Sequence, residues 1–326
     1  MRLTLIIYLL MLVILSGSAE AYPSLPQFSF AAEKSDFYGL VVNPRYANLL
    51  TDTSALGLEI GFGAREFRLG GTLSSLLFYN QCLKFTAEYL SQQNQFNFLE
   101  GTQLLWNEQH TFAAGYAYLL KNAPISSFNL GIYEGGSRDE NLSPIYHVAD
   151  DIDILYRNIK GATLYGGNAG VSLQPLLFTK INLDLYMDVI NYRNIAEAQP
   201  SKGGLGYGIN VEQILHPRFL LTLNAVRREI YDQYNVKLSW LILNHLCSRL
   251  ELSLLGQYVA GNLPQPKETR VGLMLTYRWN NSSGVFDYSR APSLQEYILT
   301  AATRPLIRMP RTFVARDQKI VLLPRL

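Results

Sequence analysis

The sequence predicts an all-β fold: a transmembrane antiparallel β-barrel of about twelve strands (range twelve to fourteen), with a short C-terminal segment able to plug its lumen. Three observations carry this. Stretches of strict two-residue alternation recur along the chain. Their polar faces carry charges that a buried soluble strand would leave unpaired. Past the amino terminus no run is long and apolar enough for a membrane helix, so a membrane-embedded chain must close into a barrel. Composition agrees, since 17% charged and 12% aromatic residues with 21 tyrosines in 326 suit a wall with lipid on one face.

Residues 1–21 read as a cleaved secretory signal: Arg2 supplies the positive region, Leu5 to Leu15 the apolar run, and Ala19-Glu20-Ala21 the small-x-small site before Tyr22. No cysteine follows that site, which excludes a lipoprotein signal. The expected location is therefore the bacterial outer membrane. Residues 22–53 hold Pro23, Pro26 and Pro44 and one short apolar cluster at 37–42. They are expected to be a periplasmic lead-in, and the barrel to occupy 54–279.

The first alternating stretch sets Leu56, Leu58, Ile60 and Phe62 against Gly57, Glu59, Gly61 and Gly63. The second sets Phe67, Leu69 and Leu73 against Arg68, Gly70, Thr72 and Ser74; the third sets Leu83, Phe85, Ala87 and Tyr89 against Cys82, Lys84, Thr86 and Glu88. At 180–189, Ile181, Leu183, Leu185, Met187 and Val189 face Lys180, Asn182, Asp184, Tyr186 and Asp188, the clearest case. Weaker stretches lie at 111–118, 128–132, 163–173, 205–211, 219–225, 234–240 and 250–258.

The twelfth stretch, 269–279, places Val271, Leu273, Leu275, Tyr277 and Trp279 on one side and Arg270, Gly272, Met274, Thr276 and Arg278 on the other. By itself this could be a strand of a soluble sandwich. Facing lipid, its aromatics would sit at the membrane boundary. It also resembles the sorting signal that ends bacterial outer-membrane barrels, carried here by Arg270, Gly272, Leu275 and Tyr277. That makes it the closing strand, running toward the periplasm.

Bacterial single-chain barrels hold an even number of strands. Counted back from the closing strand, the connections alternate so that the longest fall outside and the short ones inside. A further candidate at 95–105 then becomes part of a loop or hairpin extension over 91–109. Fourteen strands would require the cluster at 37–42 to join the wall.

Residues 280–326 carry seven basic and three acidic residues, a formal +4 in a mature chain of +2. A short helix is expected from Ser293, with Pro305 and Pro310 preventing its continuation.

With these residues in place, the chain resembles a family of outer-membrane β-barrel proteins of gammaproteobacteria. The likeness is carried by TAEYL at 86–90, by Phe98, Gly101 and Trp106, by AGYAY at 114–118, GLGYGIN at 204–210 and TRPLIRMPR at 303–311. It implies no activity. A looser resemblance is to the inverse autotransporter β-domain of intimin and invasin, whose twelve-stranded barrel is followed by a linker leading outward; Arg316 and Ile320 echo the R-x-x-x-I segment of that linker. No passenger follows Leu326, so secretion of an adhesin is not expected.

Catalytic chemistry is not expected. His110 and His147 fall in outer connections and His216 and His245 in inner turns, none beside a strand-borne serine and an orienting third residue. Asp150, Asp151 and Asp153 near His147 lack the glycine and distal glutamate of a calcium loop. Cys82 and Cys247 lie roughly 20 Å apart along the expected wall at about 4.8 Å per strand, too far for a disulfide, so free thiols are expected. No catalytic residue, metal site or cofactor is assigned. A formal charge of +2 without a basic stripe or a known binding motif argues against a nucleic-acid partner.

The residues expected to face the lumen are Glu59, Arg68, Lys84, Glu88, Lys180, Asp184, Asp188, Glu212, Lys237, Arg249, Glu251, Arg270 and Arg278. The functional expectation is a non-enzymatic outer-membrane barrel, either a small pore or a surface scaffold. The competing readings are an adhesin-like, autotransporter-derived host-contact protein and, third, a barrel hydrolase. The partners expected are outer-membrane lipid, the barrel-assembly machinery, and a host surface or small solutes.

Overall fold

The computed structural model describes residues 26–98, 101–120, 124–141, 152–192, 201–245, 248–261, 267–279, 286, 288, 293–306, 308–310 and 312–323. The signal at 1–21, the aspartates at 150 and 151, His147 and Cys247 fall outside them, and so does the side chain of Asp153. The strands are β1 (Gln27–Ser35), β2 (Gly39–Thr51), β3 (Ser54–Gly63), β4 (Glu66–Phe78), β5 (Gln81–Phe98), β6 (Gly101–Leu119), β7 (Ile125–Ser137), β8 (Glu140–Asn141), β9 (Ile152–Leu176), β10 (Thr179–Tyr192), β11 (Ser201–His216), β12 (Phe219–Arg227), β13 (Tyr231–His245), β14 (Ser248–Gly261), β15 (Glu268–Trp279) and β16 (Val314–Leu323). All but β8 and β16 pair antiparallel with both neighbours, and β15 returns to β1 in a ladder from Gln27↔Arg278 to Ser35↔Arg270. This is a closed barrel of fourteen strands, not twelve. Among the described residues no helix is long and apolar enough to cross a membrane.

The two strands missed by the sequence reading are β1 and β2, inside the segment 22–53 expected to be a lead-in. Pro44 is the reason. Proline gives no ladder N–H and argues against an internal strand, yet here it is tolerated: the β2–β3 ladder passes from Val42↔Phe62 directly to Arg45↔Glu59. On the other side Pro44 still pairs with Phe30. β1 itself alternates, with Phe28 and Phe30 exposed outward and Gln27 and Ala31 buried. The cluster at 37–42 is split between the β1–β2 turn and the start of β2.

Residues 91–98 and 101–109 form the two arms of a hairpin extension, with β5 and β6 paired from Gln81↔Tyr118 to Phe98↔Gly101. One rim carries the short turns, at 52–53, 79–80, 177–178 and 217–218; the other carries the β7–β9 and β10–β11 connections. On the outer face Phe30, Phe62, Phe85, Phe112, Leu130, Leu185, Leu205, Val236, Leu254 and Leu273 are all exposed. Left in water, each such side chain would forgo about 1.5–3 kcal/mol of burial. A continuous band of them fits a wall against lipid.

After the barrel, Leu294–Ala302 forms the short helix expected near Ser293. Ser293 Oγ accepts from the Glu296 N–H at 3.2 Å and Glu296 Oε2 accepts from the Ser293 N–H at 2.9 Å, so each end of the capping box satisfies the other. The helix buries Ile298, Leu299 and Ala302 against Ala47, Ala55 and Cys82 on the inward faces of β2, β3 and β5.

Candidate functional site

The inward face of the wall and the tail against it form one polar assembly. The Gly57 position is where they come closest: a Cβ built there would lie 2.0 Å from the Ala302 carbonyl oxygen, so only glycine lets the helix end approach β3. Further along, a Cβ at Gly115 would lie 2.6 Å from Leu306 Cδ2.

The described residues between Leu306 and Phe313 belong to no strand ladder, so their backbone groups need other partners. Wall residues supply them. Thr86 Oγ1 accepts from the Leu306 N–H at 3.2 Å, and Arg68 Nη2 donates to the Met309 carbonyl at 3.0 Å. Gln92 is used at both ends: Nε2 donates to the Pro310 carbonyl and Oε1 accepts from the Thr312 N–H, each at 3.2 Å. Gln109 Oε1 accepts from the Phe313 N–H at 2.7 Å, Asn94 Nδ2 donates to Thr312 Oγ1 at 2.6 Å, and the Ser137 hydroxyl donates to the Phe313 carbonyl.

Apolar anchors accompany these bonds. Met309 and Phe313 are fully buried with Tyr133, Leu164, Ile190, Tyr192, Ile230 and Tyr231, and Leu306 packs at the edge. Val314 then pairs with Gly161 one residue beyond the pair Tyr192↔Ala162, so β16 takes over the β9 ladder where β10 ends. β8 pairs with β9 in the same stretch. Phe96 and Leu105 of the β5–β6 extension close over Ile159 and Val314.

Of the thirteen residues expected in the lumen, nine take part in ion pairs, which gather into three groups. In the first, Arg68 lies 2.8 Å from Glu88 and 3.8 Å from Glu66, Glu66 accepts from Arg270 at 2.6 Å, and Arg270 reaches Glu268 at 2.5 Å. Glu59 forms its own pairs, with Arg308 at 2.5 Å and Arg45 at 3.3 Å. In the second, Asp188 is paired with Arg228, whose guanidinium lies 4.9–5.2 Å from the ring centres of Tyr133, Tyr186 and Tyr231. The third holds Glu212 between Arg304 at 3.1 Å and the Tyr288 hydroxyl at 2.8 Å, and Glu251 near Lys237 at 3.2 Å and Arg249 at 3.7 Å. Lys180 is the cross-strand partner of Glu212, and Arg278 that of Arg249. Lys84 and Asp184 are half-buried and join none of the ion pairs found among the described residues.

Several members escape the sequence reading. Glu66 and Glu268 are in phase with Arg68 and Arg270 and become legible once each alternation is extended by two residues. Arg228 lies in the β12–β13 connection, where no period exists to place it. Of the proposed sorting-signal residues, Arg270 is buried inward, Leu275 faces out, and Gly272 sits where a Cβ would meet the Ala32 carbonyl at 2.6 Å. Cys82 is buried and unbridged, 3.3 Å from the Ser74 hydroxyl. Among the described residues no group of three His, Cys, Asp or Glu is placed to hold a metal.

No protein-family model matches the chain, and no curated protein does. Solved structures with a similar fold include the CymD monoaromatic hydrocarbon channel (8% identity, TM-score 0.44, 79% of this chain and 88% of that one). The Pseudomonas putida toluene transporter TodX aligns at 7% identity and TM-score 0.41, over 79% of this chain and 88% of its own. CdiB from Escherichia coli aligns at 8% and 0.47, over 80% of this chain and 64% of its own. At these scores the likenesses carry no argument. The barrel rests on its own closed ladder.

Proposed function

We propose that this protein is a non-enzymatic outer-membrane barrel closed by its own C-terminal tail, acting as a scaffold that carries β16 to the outer surface. The observation that supports this reading is the seat: wall side chains hydrogen-bond the tail backbone from Leu306 to Phe313, between a helix packed on the inner wall and a strand added to β9 beyond the rim. An open pore would leave Thr86, Gln92 and Gln109 to water; here they satisfy backbone groups that would otherwise be orphaned. Outer-membrane lipid is the partner of the outward band, and the barrel-assembly machinery the reader of Arg270, Gly272, Leu275 and Tyr277. The β8–β9–β16 sheet and the β5–β6 extension form the surface open to a host or neighbouring cell.

Surface labelling tests this. In intact cells a membrane-impermeant maleimide should label Lys319→Cys, with the parent chain as the background for Cys82 and Cys247. Labelling only after the membrane is broken would overturn the reading.

A further inference from the structure

The geometry points to a binding site for a small oxyanion, of the phosphate or carboxylate class, in the cavity between tail and wall at the short-turn end, with Arg278 as its principal ligand. The inference rests on the tail being seated, because Thr303 and Arg304 form part of the cavity wall.

The wall here carries more positive charge than it answers. Arg249 and Arg278 are directly opposite across β14 and β15, both in phase with the inward Glu251 and Thr276. Like charges placed so repel. The carboxylate at hand is Glu251, already 3.2 Å from Lys237 and 3.7 Å from Arg249. Arg278 takes part in none of the ion pairs among the described residues, and the Nε atoms of both arginines are buried with no hydrogen-bond partner there.

Beside Arg278 lies a cavity of about 130 Å³, whose charged lining is Arg45, Lys237, Arg278 and Arg304 against Glu59 and Glu88. Both carboxylates are engaged elsewhere, Glu59 by Arg308 and Arg45 and Glu88 by Arg68. Three of these cations hold carboxylates, Arg45 that of Glu59, Lys237 that of Glu251 and Arg304 that of Glu212, which leaves Arg278 facing a space of several water volumes with no uncommitted carboxylate among the described residues that line it. In a partly desolvated interior an oxyanion relieves that repulsion and accepts charge-assisted hydrogen bonds from guanidinium groups. One bound there would meet Arg278 of the wall and Arg304 of the tail together, and so help hold the tail in place.

The test is calorimetric titration of inorganic phosphate into the folded full chain in detergent at low ionic strength. One saturable site is expected. Arg278→Gln should weaken it at least about tenfold, and Arg278→Lys should recover part of the loss. Arg304→Gln, a tail variant that leaves the strand ladders intact, should also weaken it and serves if Arg278→Gln fails to fold. Absence of saturable binding, or binding unchanged in the folded variants, overturns the inference. A chain that stays closed to ions but binds no phosphate refutes this site alone; a chain that conducts refutes the seated tail.

Discussion

Arg308 Nη2 donates to Glu59 Oε1 at 2.5 Å, joining residues 249 positions apart in the chain. The pair ties the tail to β3 and, through Arg45 on the same carboxylate, to β2. Removing the carboxylate leaves two arginines facing one another in a poorly hydrated interior. Glu59→Gln is expected to weaken the seat by about 2 kcal/mol, read as faster proteolysis of the tail in the folded barrel. An unchanged cleavage rate would mean that Arg308 does not anchor it.

The two wall glycines under the tail predict unequal effects. At Gly57 an added side chain meets the Ala302 backbone, which cannot turn aside; at Gly115 it meets the tip of the Leu306 side chain, which can. Gly57→Val should displace the helix and open the barrel to ions, whereas Gly115→Ala should be nearly silent. Equal effects in conductance recordings would contradict the packing described.

Gln92 serves two tail backbone groups, so Gln92→Leu should orphan both at about 1–3 kcal/mol each. Hydrogen exchange at the Thr312 amide is expected to accelerate at least tenfold. Protection equal to that of the parent chain would exclude Gln92 from the seat.

The fourteen-strand count has its own test. Ala31 and Met274 are register partners across β1 and β15. Opposed residues in an antiparallel pair have Cα atoms about 4.5–5.5 Å apart, within disulfide reach. Ala31→Cys with Met274→Cys should form a bond on oxidation of the folded protein. A twelve-stranded wall closing on β3 would give none.

How much of this could be read from residues alone follows from where the period survives. β10 was legible because five apolar side chains alternate with charges at positions 180, 184 and 188. β2 was not, because Pro44 breaks the expected donor pattern and the ladder absorbs it by skipping two pairs. The charge of the tail was visible but its seat was not, since the need for glycine at 57 and 115 arises only when another segment approaches. Arg228 shows the same limit: Asp188 was assigned to the lumen by phase, while its partner comes from a connection.

Ion conductance across a planar bilayer tests the central claim most directly. The full chain should be silent, and removal of residues 281–326 from a barrel that still folds should give steady channels. Equal conductance from both would contradict a lumen closed by its own tail.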